Sequence, residues 1–315
     1  MREADTTDLV IGRGLLGRSI LDLLPPATAV ARVRWGDEDG AVEDLVHAAT
    51  RFIEQAGNGW RIYWCAGAGV TATSADALDM EVRVYRRFLR ALGGLNADAR
   101  TGGTLFLASS VGGAYAGAGS PPYDEASPTA ALSPYGVAKL KMEAATSEMS
   151  ASAGIRSFTA RITNLYGPGQ DLSKGQGLIS TIARTYITNQ PASIFVPLDT
   201  IRDYVYVADC AAAVVAGVER ASRLPPGTNV LKIIGSAQAV SIGALIGEFG
   251  RLMRRPPLIV LGAGNSSGQA PDLRVRSIVW TDLDALISTT LPEGISRTHR
   301  SLLRASSSGR PLAPA

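Results

Sequence analysis

Val10-Ile11-Gly12-Arg13-Gly14-Leu15-Leu16-Gly17 decides the fold. Asp8 to Ile11 is a short apolar strand ending in Gly12, and Leu15 to Leu24 carries apolar residues at helical spacing until Pro25 and Pro26 stop it. In a G-x-G-x-x-G run between strand and helix, the first glycine permits the turn and the second lets backbone reach a pyrophosphate. The third lets the helix lie close to the sheet, with the helix N-terminus toward the anion. A glycine turn without ligand reads the same way locally, but this placement favours dinucleotide binding.

Outward from that turn, strands and helices alternate. Thr28 to Trp35 reads as a second strand, followed by an acidic turn and a helix from about Ala41 to Gln55. Arg61 to Cys65 is a third strand, Ala75 to Leu92 a long amphipathic helix and Thr104 to Ala108 a fourth strand. Gly112 to Pro134 is too long for a simple connection and is expected to be functional. Ser133 and Pro134 then cap a helix running to about Ala151, with Gly154 beyond it and a strand at Ile155 to Ile162. This alternation predicts a parallel sheet covered on both faces. Further on, a glycine-rich loop spans Tyr166 to Gln176. Helices are expected at Leu178–Asn189, Asp209–Ala221, Ile242–Met253 and Asp282–Ile287, and short strands near Val230–Ile234 and Leu258–Leu261.

Composition narrows the function. The 315 residues are 46% hydrophobic and 19% charged, which excludes a disordered chain, and a net charge of +3 gives no electrostatic case for nucleic acid or an anionic membrane. Cys65, Cys210, His47 and His299 are the only cysteines and histidines, too few for a disulfide framework or a Cys/His zinc cluster, so no metal is expected. The polar start and the shortness of the longest apolar run, Ala211 to Val218, lead to the expectation of a cytoplasmic protein.

About twenty residues after Gly12, where an NAD-binding chain presents an acidic residue to the ribose, stand Arg32 and Arg34. A guanidinium complements a 2′-phosphate, so NADP is favoured over NAD, with NAD retained if Asp37 or Asp39 reaches back. Tyr135 and Lys139 lie four apart on the capped helix, hence on one face about 6 Å from each other. With 4 lysines and 9 tyrosines in the chain, that spacing is not a trivial coincidence. A phenol is a poor base at neutral pH, and a neighbouring ammonium stabilises its phenolate while remaining able to bond a ribose. The competing arrangement pairs Lys139 with Glu143 one turn on. Ser109 and Ser110 end the fourth strand, at the carboxyl edge where open α/β sheets bind ligands, and either could orient a substrate hydroxyl.

These motifs, with Ser133-Pro134-Tyr135-Gly136-Val137-Ala138-Lys139-Leu140, Arg161 to Gln170 and Arg202-Asp203-Tyr204-Val205-Tyr206-Val207-Ala208-Asp209, resemble an extended short-chain dehydrogenase/reductase of the nucleotide-sugar epimerase and dehydratase group. The resemblance implies a Rossmann-type doubly wound parallel sheet with a smaller C-terminal α/β substrate lobe. Residues 1–165 and 200–222 would form the NAD(P)-binding part, 166–199 and 223–305 the lobe, and 306–315 a flexible tail. It implies Tyr135 as acid/base, Lys139 on the nicotinamide ribose and Ser110 orienting the reacting hydroxyl. Gly12, Arg13, Gly14, Leu15, Leu16, Gly17, Arg32, Ala66 and Gly67 would hold the cofactor, and Asn164 and Arg202 the substrate diphosphate. It also implies a homodimer through the helices Ala75–Leu92 and Pro134–Ala151.

The chain departs from the group in two places. Gly17 to Cys65 is short, so a strand is expected to be missing or merged near Trp35-Gly36-Asp37, and Ser110-Val111-Gly112 lacks the acid and base of sugar dehydratases. The expected reaction is therefore epimerisation through a keto-sugar, with a ketoreductase or dehydrogenase, or a non-catalytic dinucleotide-binding protein, as the alternatives. Substrate selectivity is expected in Gly169–Leu178 and the lobe, where Arg274 or Arg276 could add a phosphate contact. Gly264-Asn265-Ser266-Ser267-Gly268, with Asp282 or Asp284 and His299, also fits a hydrolase elbow, but Pro271 interrupts the helix that elbow requires.

Overall fold

The computed structural model describes residues 7–56, 59–67, 73–172, 177–262 and 270–308. The first half alternates β1 (Asp8–Ile11), α1 (Leu15–Leu21), β2 (Ala29–Val30), α2 (Glu38–Ala56), β3 (Arg61–Trp64), α3 (Ala75–Gly93), α4 (Ala97–Gly102), β4 (Thr104–Ser110), α5 (Val111–Tyr115), α6 (Pro134–Ala153) and β5 (Arg156–Ile162). The second half holds β6 (Asn164–Tyr166), α7 (Leu178–Thr188), β7 (Ala192–Ile194), β8 (Ile201–Arg202), β9 (Tyr204–Tyr206), α8 (Val207–Ala221) and β10 (Asn229–Ile234). It ends in β11 (Val240–Ser241), α9 (Ile242–Met253), β12 (Ile259–Leu261), a 3-10 turn at Thr281–Leu286 and α10 (Leu291–Ser307).

Six parallel strands form the main sheet in the order β10-β5-β4-β3-β1-β2. Alternate side chains of each strand feed two separate cores. Leu9, Ile11, Ile62, Trp64, Leu105 and Leu107 pack under α2, α3 and α6. Val10, Tyr63, Phe106 and Phe158 pack under α1 and α8. A third core of Tyr166, Ile182, Tyr204, Tyr206, Leu245, Phe249 and Ile295 builds the smaller lobe from β6, β9, α7, α9 and α10. β1 lies between β2 and β3, so the chain leaves it toward opposite edges, and the crevice beyond its carboxyl end is the topological switch point.

Some expectations change. The second strand is two residues long, because β1 gives way to the glycine turn after Ile11 and offers no partner past Ala31, whose N–H reaches Val10 O at 3.1 Å. Arg34 N–H instead donates to Asp44 of α2 at 2.9 Å, turning the chain away, and no strand lies outside β2 among the described residues. The short Gly17–Cys65 stretch is thus an abbreviated edge. β10, expected in the lobe segment 223–305, is the sixth strand of the main sheet. The helix expected at Asp282–Ile287 is the 3-10 turn. α10 had not been read from the sequence, although Pro292 in its first turn and the Glu293–Arg297 pair at 2.6 Å mark it. It takes up Ser306 and Ser307, the first residues of the expected tail. Gly264–Gly268 and the last residues of the tail lie outside the described residues.

The far edge of the sheet is tied down by charge. Lys232 on β10 is 1% exposed and donates to Ser277 Oγ (2.8 Å), Val279 O (2.8 Å) and Asp284 Oδ1 (2.7 Å). Glu125, from the loop after α5, accepts from Ile233 N–H at 2.7 Å and Ile278 N–H at 2.8 Å.

Phe158 is wholly buried in β5 and its ring fills the space where a Cβ on Gly217 of α8 would stand. Phe158→Ala is expected to lower the unfolding free energy by about 3–5 kcal/mol, read from urea denaturation.

Candidate active site

Gly12 has φ +95°, a left-handed backbone that favours glycine, and a Cβ there would strike the Ala66 backbone. A Cβ on Gly17 would collide with the Gly12 carbonyl, so α1 can rest on the turn only because both positions lack side chains. Gly14 is the N-cap of α1, with no capping side chain and nothing within 4 Å of a Cβ placed on it. The turn therefore presents backbone to open space, which fits a dinucleotide pyrophosphate. Arg13 is exposed, Leu15 half-buried, and Leu16 lines the cleft together with Ala66 and Gly67 after β3. Arg32 is exposed beyond β2, while Arg34 is held by Asp44 (2.8 Å) and Glu43 (2.9 Å) of α2.

Ser133 caps α6 by accepting from Gly136 N–H at 3.2 Å, and Gly154 closes it at φ 74°. This helix carries Tyr135 and Lys139 into the same cleft, with Lys139 Nζ 5.6 Å from the Tyr135 ring centroid. The Lys139–Glu143 pairing is not formed. Lys139 instead meets Glu81 of α3 at 3.3 Å, and Glu143 takes Arg161 of β5 at 2.7 Å. Burial alone would depress the Lys139 ammonium, but the Tyr135 phenol and the Glu81 carboxylate more than offset it and hold it above the ordinary lysine value.

The two serines both line the cleft but differ in their bonds. Ser109 is 6% exposed and donates to Glu143 Oε1 at 2.5 Å. Ser110 lines the cleft, and its Oγ accepts from Gly113 N–H at 3.1 Å as the N-cap of α5. A Cβ on Gly136 would strike Gly113 O, so these glycines let α6 approach α5 closely enough to share one cleft wall. Behind that wall Arg161 also donates to Tyr115 OH at 2.5 Å, and Tyr115 donates to Asp124 O at 2.7 Å. Burial pushes the Tyr115 phenol up, with Arg161 opposing.

The cleft, about 1090 Å³, runs from Leu16 past these residues to Asn164, Arg184 and Arg202. Asn164 Nδ2 donates to Asp203 O at 2.8 Å, which fixes its amide at the cleft edge. Arg202, 8% exposed, donates to Ile201 O at 2.9 Å, and burial lowers its pKa, so a nearby anion would restore what desolvation takes away. Arg274 pairs with Asp272 at 2.7 Å. The sequence reading had missed Glu81, Arg184 and the Glu143–Arg161–Tyr115 network. Arg161 and Tyr115 lay within quoted stretches, but neither spacing nor composition pointed to a buried pair.

A parallel sheet with a glycine turn at its switch point and a tyrosine–lysine helix beside it defines the class of Rossmann-type α/β proteins. The sequence profile of the NAD dependent epimerase/dehydratase family matches residues 48–231, and the chain belongs to that family. The match takes in Ser110, Tyr135, Lys139, Asn164 and Arg202. Over 109 residues, 35% of this chain and 36% of the relative, it is 36% identical to a Methanocaldococcus jannaschii protein named for UDP-glucose 4-epimerase activity. Over 142 residues, 45% of this chain and 43% of the relative, it is 27% identical to dTDP-4-dehydro-6-deoxyglucose reductase of Escherichia coli. The chain thus aligns with less than half the length of either curated relative. In fold it is similar to MoeE5, solved in complex with UDP-glucose and NAD, with a TM-score of 0.78 and 21% identity over 95% of this chain and 99% of that one. Among the described residues no His/Cys/Asp/Glu group could hold a metal, and no helix is long and apolar enough to cross a membrane.

Glu143 and Arg161 are both more than nine-tenths buried. Glu143→Ala leaves that guanidinium without its carboxylate and is expected to destabilise the protein by about 3–5 kcal/mol, read as a shift of the urea midpoint at constant slope.

Proposed function

We propose that this chain is an NAD(P)-dependent epimerase acting on a nucleoside-diphosphate sugar through a keto-sugar. One observation carries the reading. A single cleft runs from Leu16 on α1 past Ala66 and Gly67 to Ser110, Tyr135 and Lys139 and on to the buried Arg202, which supports a reading with cofactor, reacting carbon and diphosphate in series. Gly12, Gly14 and Gly17 would hold the cofactor pyrophosphate and Lys139 its nicotinamide ribose. When bound, the nicotinamide supplies the hydride acceptor and donor.

The remaining chemistry belongs to the side chains. Ser110 bonds the substrate hydroxyl and holds it toward Tyr135. Tyr135 takes the hydroxyl proton as the carbon–hydrogen bond breaks, leaving a carbonyl, and later returns a proton to the same oxygen. Lys139 stabilises the phenolate that accepts the first proton and that re-forms when the proton is returned. Arg202 and Asn164 retain the diphosphate, Arg202 with a fork that matches phosphate oxygens. Held by that end, the sugar can turn its other face before the hydride returns. No carboxylate stands in Ser110-Val111-Gly112, so nothing at that strand end serves elimination of water.

Similarity to the Escherichia coli reductase favours a second reading, reduction of a keto-sugar by NADPH with release of the alcohol. The two readings differ in stoichiometry. An epimerase retains its cofactor without net consumption, and a reductase consumes one equivalent per turnover. Exposed Arg32 favours a 2′-phosphate in either case. The homodimer through α3 and α6 belongs to the same proposal, and sedimentation reads it.

Tyr135→Phe is expected to lower turnover by about 10²–10⁴-fold while cofactor binding persists. Undiminished turnover in that variant would overturn the acid/base role of Tyr135, and no turnover in the unaltered protein would leave one that only binds dinucleotide. Arg32→Asp is expected to weaken NADP binding about tenfold or more relative to NAD, measured by fluorescence titration with each reduced cofactor.

A further inference from the structure

Lys139 reaches the cleft from α6 and meets a carboxylate that comes from α3. Glu81 Oε1 lies 3.3 Å from Lys139 Nζ, and the two side chains are 13% and 7% exposed. Gly67 borders both, since a Cβ there would stand 3.2 Å from Lys139 Nζ and 3.3 Å from Glu81 Oε1. The pair therefore sits at the cleft wall beside the backbone that follows β3.

The other charged groups around it have partners of their own. On α6, Glu143 takes Arg161 and the Ser109 hydroxyl, and Lys141 takes Asp79 of α3 at 3.1 Å. Arg83 of α3 turns outward to Glu38 of α2 at 2.9 Å. From α5, Tyr115 faces Arg161, and Ser110 faces Gly113 N–H. Glu81 is thus the carboxylate in ion-pair contact with the ammonium that stands over Tyr135.

We propose that Glu81 is a positioning residue for Lys139: its carboxylate pins the ammonium beside Tyr135, and its charge limits how strongly that ammonium supports the phenolate. The proposal rests on the reading of Tyr135 as the acid/base. The sign follows from Coulomb's law. A negative charge beside the ammonium opposes a second negative charge on the nearby phenolic oxygen, so neutralising Glu81 without shortening it favours the phenolate. A purely steric role for Glu81 carries no such effect.

The test is a near-ultraviolet phenolate measurement on the whole protein without substrate, at one mildly alkaline pH. Each protein is compared with its own Tyr135→Phe counterpart, so that the difference isolates Tyr135. Glu81→Gln is expected to raise the Tyr135 phenolate signal several-fold, up to about tenfold, and Glu81→Asp to bring it back toward wild type. An unchanged signal in Glu81→Gln with an intact thermal midpoint would overturn the proposal, as would an equal rise in the Gln and Asp variants. Glu81→Asn removes the same charge and serves if the glutamine variant does not fold. The measurement needs no turnover. Persistent activity in Tyr135→Phe would sink the proposed reaction, whereas the Glu81 signal reports on the ion pair alone.

Discussion

The cleft depends on how closely α1 can lie against the end of β1. That approach is a backbone-to-backbone contact, Gly17 over the Gly12 carbonyl with Gly12 against Ala66, and it leaves no volume for a methyl group at either glycine. Because β1 is flanked by β2 and β3, the contact stands where the sheet's connections diverge, and the ends of β3 and β4 open onto the same space. A helix lifted by one side chain would displace Leu16, which forms both the cleft wall and part of the α1–α8 core. Fold and cleft wall are set by the same few atoms.

A second constraint lies behind the phenolic centre. Arg161 and Glu143 join β5 to α6 beneath Ser109, while Tyr115 joins the group from α5. Burying two opposite charges contributes little net stability but strongly penalises any displacement that separates them. Strand end, serine pair and Tyr135 helix are therefore held as one unit, and the cleft-facing residues inherit its rigidity. The lobe side is built differently, from an aromatic core around Tyr166, Tyr204 and Tyr206, with the buried Arg202 on β8 lining the cleft.

Much of this was legible in the residues. The glycine turn, the Ser133-Pro134 start of α6 and the spacing of Tyr135 and Lys139 are local patterns, and each stands where the chain order put it. Contacts between distant elements could not be read. Glu81 lies 58 residues from Lys139 and nothing in its own helix marks it, whereas Glu143, one turn away and the partner in the competing arrangement, is taken by Arg161 from β5. The length of β2 was misjudged because its residues suit a strand while its neighbour stops at Ile11. The two serines both line the cleft, and what sets them apart is likewise tertiary, the bond from Ser109 to Glu143.

The outer margin of β10 has a further consequence. A parallel strand at the end of a sheet offers unpaired amides to any extended peptide that drifts past. Here the Ile233 amide is already taken by Glu125, and Lys232 draws residues 277–284 across the same border. An incoming strand would have to break a buried charge and two clamped amides before forming its first rung. The β10 edge is thereby kept from serving as a template for aggregation.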